Sequence, residues 1–211
     1  MESLEVKPLS GNIANKLIIF LHGLGSDGQD LIGLTPYFAP SFPDAHFYSP
    51  NGIEKCDLSP FGYQWFSLKN RDPDIIAGKI ERVSQNVLDL IEAKLNELKL
   101  TYEDLAIIGF SQGTMLGLYL CHAFDLNIGA MVGFSGAFLP PSVIKNNKTP
   151  ICLIHGTSDE VVSFASMTHA EERLKNIGVK IVETHSIQNI GHTIDLNGLK
   201  FATNFLLKYL K

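Results

Sequence analysis

The run Leu105-Ala-Ile-Ile-Gly-Phe-Ser-Gln-Gly-Thr-Met-Leu116 constrains this chain more than any other stretch. It reads as an apolar strand, a sharp turn and the start of a helix, with Gly109-Phe-Ser111-Gln-Gly113 across the turn. A G-x-S-x-G turn between a strand and a helix holds its serine in a strained conformation that lifts the hydroxyl off the sheet edge. The flanking glycines leave room where a side chain would strike the neighbouring backbone. The helix that follows aims free N–H groups and its positive end at any oxyanion formed at Ser111. The spacing alone is a weak signal, and the strand before and helix after give it meaning.

The same alternation continues through the chain. Apolar runs at Lys16–Leu21, Ala45–Ser49, Leu105–Phe110, Ala130–Phe134, Ile151–Ile154 and Val179–Ser186 predict strands. Helical spacing predicts helices over about 30–38, 75–98, 112–123, 163–176 and 197–210. Ser26 or Asp27 and Asp195 are expected to cap helices, and Glu160 to begin one. Residues 51–74 read as an irregular loop rich in aromatics. Strands alternating with helices imply an α/β fold, a mainly parallel sheet with helices on both faces, and here a single domain over 1–211.

Bulk properties narrow the function. Seventeen basic against 22 acidic residues leave a net charge of −5, and no Lys/Arg cluster exceeds two, which argues against nucleic acid as a partner. No apolar run reaches 18 residues, so no membrane span is expected. Glu2 and Glu5 speak against a signal peptide. Three cysteines, an odd number without metal-ligand spacing, fit reduced thiols in a cytoplasmic compartment and no bound metal.

In open parallel sheets, ligands bind beyond the carboxyl ends of the strands. Four polar segments, at 22–28, 109–113, 155–159 and 191–192, each follow an apolar run and should meet on one rim. A serine nucleophile needs a base, and the base needs a carboxylate to fix its tautomer. Ser111, Asp159 and His192 stand in the chain order serine, acid, histidine. Asp195 is too near His192 to orient it, and His22 and His155, at strand ends, read as structural. The loop 23–28 matches no phosphate-binding pattern. Its Leu24 N–H, with the N–H of Gln112, is placed to hold an oxyanion.

Leu21-His-Gly-Leu-Gly-Ser-Asp-Gly28, Gln64-Trp-Phe66, Gly109-Phe-Ser-Gln-Gly113, His155-Gly-Thr-Ser-Asp159-Glu-Val-Val162 and Gly191-His192 together resemble the phospholipase/carboxylesterase family of serine hydrolases. The resemblance covers nearly the whole chain. It implies an α/β-hydrolase fold without a separate cap domain, the triad Ser111, Asp159 and His192, and an oxyanion hole at Leu24 and Gln112. Family members act on carboxylic esters, thioesters or lysophospholipids, need no cofactor and in some cases form homodimers. The segment 61–76 would flank the acyl pocket, with Trp65 either a pocket residue or, equally, a core tryptophan. The apolar Leu24, Leu31 and Met115 suggest the same acyl site, with core packing as the other reading. Dienelactone hydrolases look similar but carry cysteine where Ser111 stands. A small-molecule or lipid acyl ester is therefore the expected substrate. The rival readings are a non-catalytic hydrolase-fold binding protein and an acyltransferase.

Overall fold

Neighbouring residues of a strand point to opposite sheet faces, so an uninterrupted apolar run must be covered on both. A computed structural model of the chain, which describes residues 2–211, shows that arrangement. In β2 (Lys16–Leu21), Leu17, Ile19 and Leu21 enter one core while Ile18 and Phe20 enter the other. In β6 (Leu105–Phe110), Leu105 and Ile107 join the first core, and Ala106 and Ile108 the second.

The other strands are β1 (Ser3–Val6), β3 (Ala45–Pro50), β7 (Ala130–Phe134), β8 (Ile151–Gly156) and β9 (Val182–Ile187). They form one seven-stranded sheet in the order β1-β3-β2-β6-β7-β8-β9, parallel except for the edge strand β1. The first core is closed by α3 (Pro73–Leu98), α4 (Gln112–Ala123) and α5 (Ala165–Asn176). The second is closed by α1 (Gly28–Ile32), α2 (Thr35–Phe38) and α6 (Leu196–Tyr209). Each large apolar side chain buried this way contributes about 1.5–3 kcal/mol.

Several details depart from the sequence reading. The helix expected over 30–38 is two short helices, because Pro36 sits at the start of α2 and Gly33 ends α1. Asp27 caps α1 by accepting from the Asp30 N–H. The irregular segment 51–74 contains a small antiparallel hairpin, β4 (Glu54–Lys55) and β5 (Tyr63–Gln64). Glu160 starts no helix, since α5 begins at Ala165. The last strand begins at Val182 rather than Val179, because Val179 closes α5 by donating its N–H to Leu174 O. Among the described residues no helix is long and apolar enough to cross a membrane.

The register brings the parallel strands to a common end. Leu21 lies opposite Gly109, Phe110 opposite Phe134, and Phe134 opposite Ile154. The loops after β2, β6, β8 and β9 therefore leave the sheet on one edge.

Candidate active site

Ser111 joins β6 to α4 with φ of 53° and ψ of −112°, a backbone conformation that a side chain rarely adopts. Two close approaches hold it there. A β-carbon on Gly113 would come within 1.9 Å of the Leu21 carbonyl oxygen, and one on Gly109 within 2.6 Å of the Gly113 backbone. The helix thus lies across the ends of β2 and β6 at a distance only glycine allows. Ser111 N–H donates to Phe134 O at 2.8 Å, and the Thr114 hydroxyl lies 2.8 Å from both Gly109 O and Phe134 O.

Asp159 follows β8. Its Oδ1 accepts the N–H groups of Val161 and Val162 at 2.9 and 2.8 Å. Its Oδ2 stands 2.7 Å from His192 Nδ1 and 3.2 Å from His155 Nε2. Burial pushes this carboxyl up, but the bonds from His192, Val162 and Val161 outweigh it and hold the pKa below the usual aspartate value. His192, in the loop after β9, packs on the Phe110 ring at 4.8 Å between centroids and keeps part of its surface open. With Nδ1 engaged, its Nε2 is the atom left for chemistry.

Ser111 and His192 line one cavity of about 320 Å³, together with Gly23, Leu24, Gln112, Met115 and a wall of apolar side chains. The structure thus brings together Ser111, His192, Leu24, Gln112 and Met115, with Asp159 directly behind His192. Neither Leu24 N–H nor Gln112 N–H donates to a backbone acceptor among the described residues.

Of the two readings of Trp65, the structure shows the core one. The side chain is fully buried and does not line this cavity. Its indole N–H donates to His22 O at 2.9 Å, which turns the ring under the loop that carries Leu24 instead of into the pocket. His22 is also structural. Nδ1 bonds Gly23 O at 2.7 Å and Nε2 accepts Gly52 N–H at 2.8 Å. Burial pushes the His22 pKa down, which keeps the ring neutral and Nε2 an acceptor.

The sequence reading missed the side chain of Gln112. Its Oε1 accepts Trp65 N–H at 2.9 Å and its Nε2 donates to Phe66 O at 2.7 Å. The only signal in the sequence was an amide directly after the elbow serine, and its partners lie 46 and 47 positions away. Arg71 was not singled out, although it lies in the segment 61–76 that was expected to flank the acyl pocket.

This sheet order, with helices on both faces and a serine at the strand-to-helix turn, defines an α/β-hydrolase. The chain belongs to the phospholipase/carboxylesterase family, whose model matches residues 6–210, and it is a hydrolase acting on esters. It is 28% identical to esterase YpfH of Escherichia coli (strain K12) over 193 residues, covering 92% of this chain and 82% of that protein. It is 32% identical to acyl-protein thioesterase 1 of Saccharomyces cerevisiae over 166 residues, covering 71% and 72% of the two chains. The crystal structure of esterase PE8 is similar throughout, with a TM-score of 0.91 at 33% identity and 98% of each chain covered.

Proposed function

We propose that the chain is a serine carboxylesterase in which Ser111, His192 and Asp159 act as nucleophile, base and orienting acid. The observation that carries this reading is the 2.7 Å contact between His192 Nδ1 and Asp159 Oδ2, with His192 and Ser111 lining one apolar cavity. Asp159 fixes the tautomer that carries a proton on Nδ1, so Nε2 can take the proton of Ser111 as its oxygen attacks the acyl carbonyl. The N–H groups of Leu24 and Gln112 receive the oxyanion, each worth about 10²–10³ in rate. His192 then gives its proton to the leaving alcohol or thiol, and water releases the acyl group from Ser111 by the same steps in reverse. The acyl portion lies against Met115 and its apolar neighbours. The relatives' names support both an oxygen ester and a thioester as substrate, with a lysophospholipid the further alternative. The three cysteines are buried and unpaired, which supports a reducing, cytoplasmic compartment.

Hydrolysis of 4-nitrophenyl esters from acetate to dodecanoate, by wild type and Ser111→Ala side by side, tests the reading. The variant should lose roughly a millionfold in kcat, and a fluorophosphonate should label Ser111 in the wild type alone. Equal rates for the two proteins would put the non-catalytic binding protein in its place. The rank order of the wild type along the series measures the length of acyl chain the cavity takes.

A further inference from the structure

The cavity above Ser111 is walled by apolar side chains such as Leu24, Leu68, Ile76 and Val161. One permanently charged residue stands in that lining, the exposed Arg71. No aspartate or glutamate lines the cavity. Of the nearby acids, Asp72 and Asp57 are engaged, while the Asp74 carboxylate, in the first turn of α3, is not paired among the described residues. Asp72 caps α3 by accepting the N–H groups of Asp74 and Ile75 at 3.0 and 3.3 Å, and Asp57 faces Lys69 at 3.7 Å. Arg71 forms no ion pair among the described residues.

The backbone adds charge of the same sign. α4 begins beside Ser111, and the 26-residue α3 begins two positions after Arg71 and sends Ile76 of its first turn into the cavity. The N-terminus of α4 and Arg71 therefore meet at a single apolar mouth, while the start of α3 carries its own carboxylates, Asp72 and Asp74. Positive potential at a cleft with low-dielectric walls is stronger than on an open surface. The start of α4 serves the oxyanion of any ester, but a neutral acyl chain would leave Arg71 unused.

We infer that this enzyme prefers esters that carry an anionic group, a carboxylate in the first instance, which the Arg71 fork holds while the ester carbonyl lies at Ser111. The guanidinium is planar, always charged and matched to a carboxylate through two parallel N–H bonds. The anion can sit at the far end of the acyl chain or on the leaving group. Either way the same side chain reads it. The inference rests on the reading of Ser111 as the nucleophile.

The experiment pairs esters that differ only in charge. On the acyl side, 4-nitrophenyl hemiadipate is compared with 4-nitrophenyl hexanoate. On the leaving side, the butyrate ester of 4-hydroxybenzoate is compared with that of its methyl ester. For each pair the ratio of kcat/KM, anionic over neutral, is measured in wild type, Arg71→Gln and Arg71→Lys. Taking ratios cancels the intrinsic reactivity of each ester. Arg71→Gln should lower the ratio by about tenfold or more in one arm, since bonds to charged groups carry factors of that size. Arg71→Lys should fall between, keeping the charge without the fork. The responding arm shows which end of the substrate bears the anion. A ratio that moves less than about threefold in both arms overturns the inference. Arg71 is exposed, so both variants should fold, and circular dichroism checks that they do. Ser111→Ala run beside them separates the two readings. If it abolishes turnover while the ratios stay put, only the anion preference falls. If turnover survives in it, the nucleophile assignment falls and this inference with it.

Discussion

A methyl group on Gly113 has nowhere to go. Its position is 1.9 Å from the Leu21 carbonyl oxygen and 2.9 Å from that of His22, both backbone atoms of β2 and its exit loop. Gly113→Ala must therefore push α4 away from β2, moving Ser111 and the Gln112 N–H together. Overpacking of this kind costs about 1–3 kcal/mol, readable as a lower urea midpoint. Because the displaced atoms include an oxyanion donor, kcat on a 4-nitrophenyl ester should fall at least tenfold in the protein that remains folded. A variant with wild-type kcat would show that the helix start and the reaction are not coupled. At this scale much was legible. Asp195 caps α6 through Gly198 N–H as its position suggested. Glu160 misled because the N–H groups that a new helix would offer, those of Val161 and Val162, are taken by the Asp159 carboxylate in a tight loop instead. Trp65 stayed open between two readings because a tryptophan beside a pocket and one beneath its floor look the same in sequence.

The strands were legible wherever both faces are buried, since a run such as Ile151–Ile154 has no other use in a chain of this size. The β4–β5 hairpin was not, because its strands are two residues each and contacts distant in sequence hold it in place. Tyr63 N–H donates to Ser26 O at 2.7 Å, and Gly25 N–H to Tyr63 O at 2.9 Å, so the end of the hairpin is sewn to the loop that carries Leu24. The Gln112 amide then ties the next two residues, Trp65 and Phe66, to the start of α4. The residue that offers one oxyanion N–H thereby clamps the segment that supports the other. Gln112→Met keeps the side-chain length and removes both bonds, leaving a buried N–H and carbonyl unpaired at about 1–3 kcal/mol each. The expected signature is a drop in kcat of about a hundredfold, the cost of one misaligned donor, with KM within a few-fold of wild type. A lowered melting temperature with kcat unchanged would make the clamp a matter of stability alone.

The two cores that sandwich the sheet hold histidines whose charge the fold cannot accept, and this gives the whole molecule a direction in pH. His22 and His122 are fully buried, and burial pushes both pKa values below the ordinary 6.5 despite a backbone bond to each ring. His122 gives one nitrogen to Asn146 O at 2.8 Å, while its Nε2 has no partner and its ring packs against Phe138 at 5.3 Å. His185, stacked on Phe201 at 4.0 Å, is lowered by burial as well, against the opposing pull of Glu183. All three are harder to protonate folded than unfolded, so each tends to take up a proton on unfolding as the pH falls below about 6.5. The unfolded chain then binds more protons, so stability is fully present above that pH and is lost as the pH falls below it. Each buried histidine contributes a slope of up to about 1.4 kcal/mol per pH unit. The depressed pKa of Asp159 acts in the same direction but only near and below 3.8, outside this window. Urea midpoints should therefore be level from pH 8 to 7 and fall between 6.5 and 5. His122→Gln can still donate to Asn146 O but cannot titrate, so its midpoint should fall less steeply by about one proton's worth. A wild-type midpoint that stays flat to pH 5, or a variant that falls as steeply as wild type, would mean the unpaired Nε2 finds a proton acceptor in the folded core.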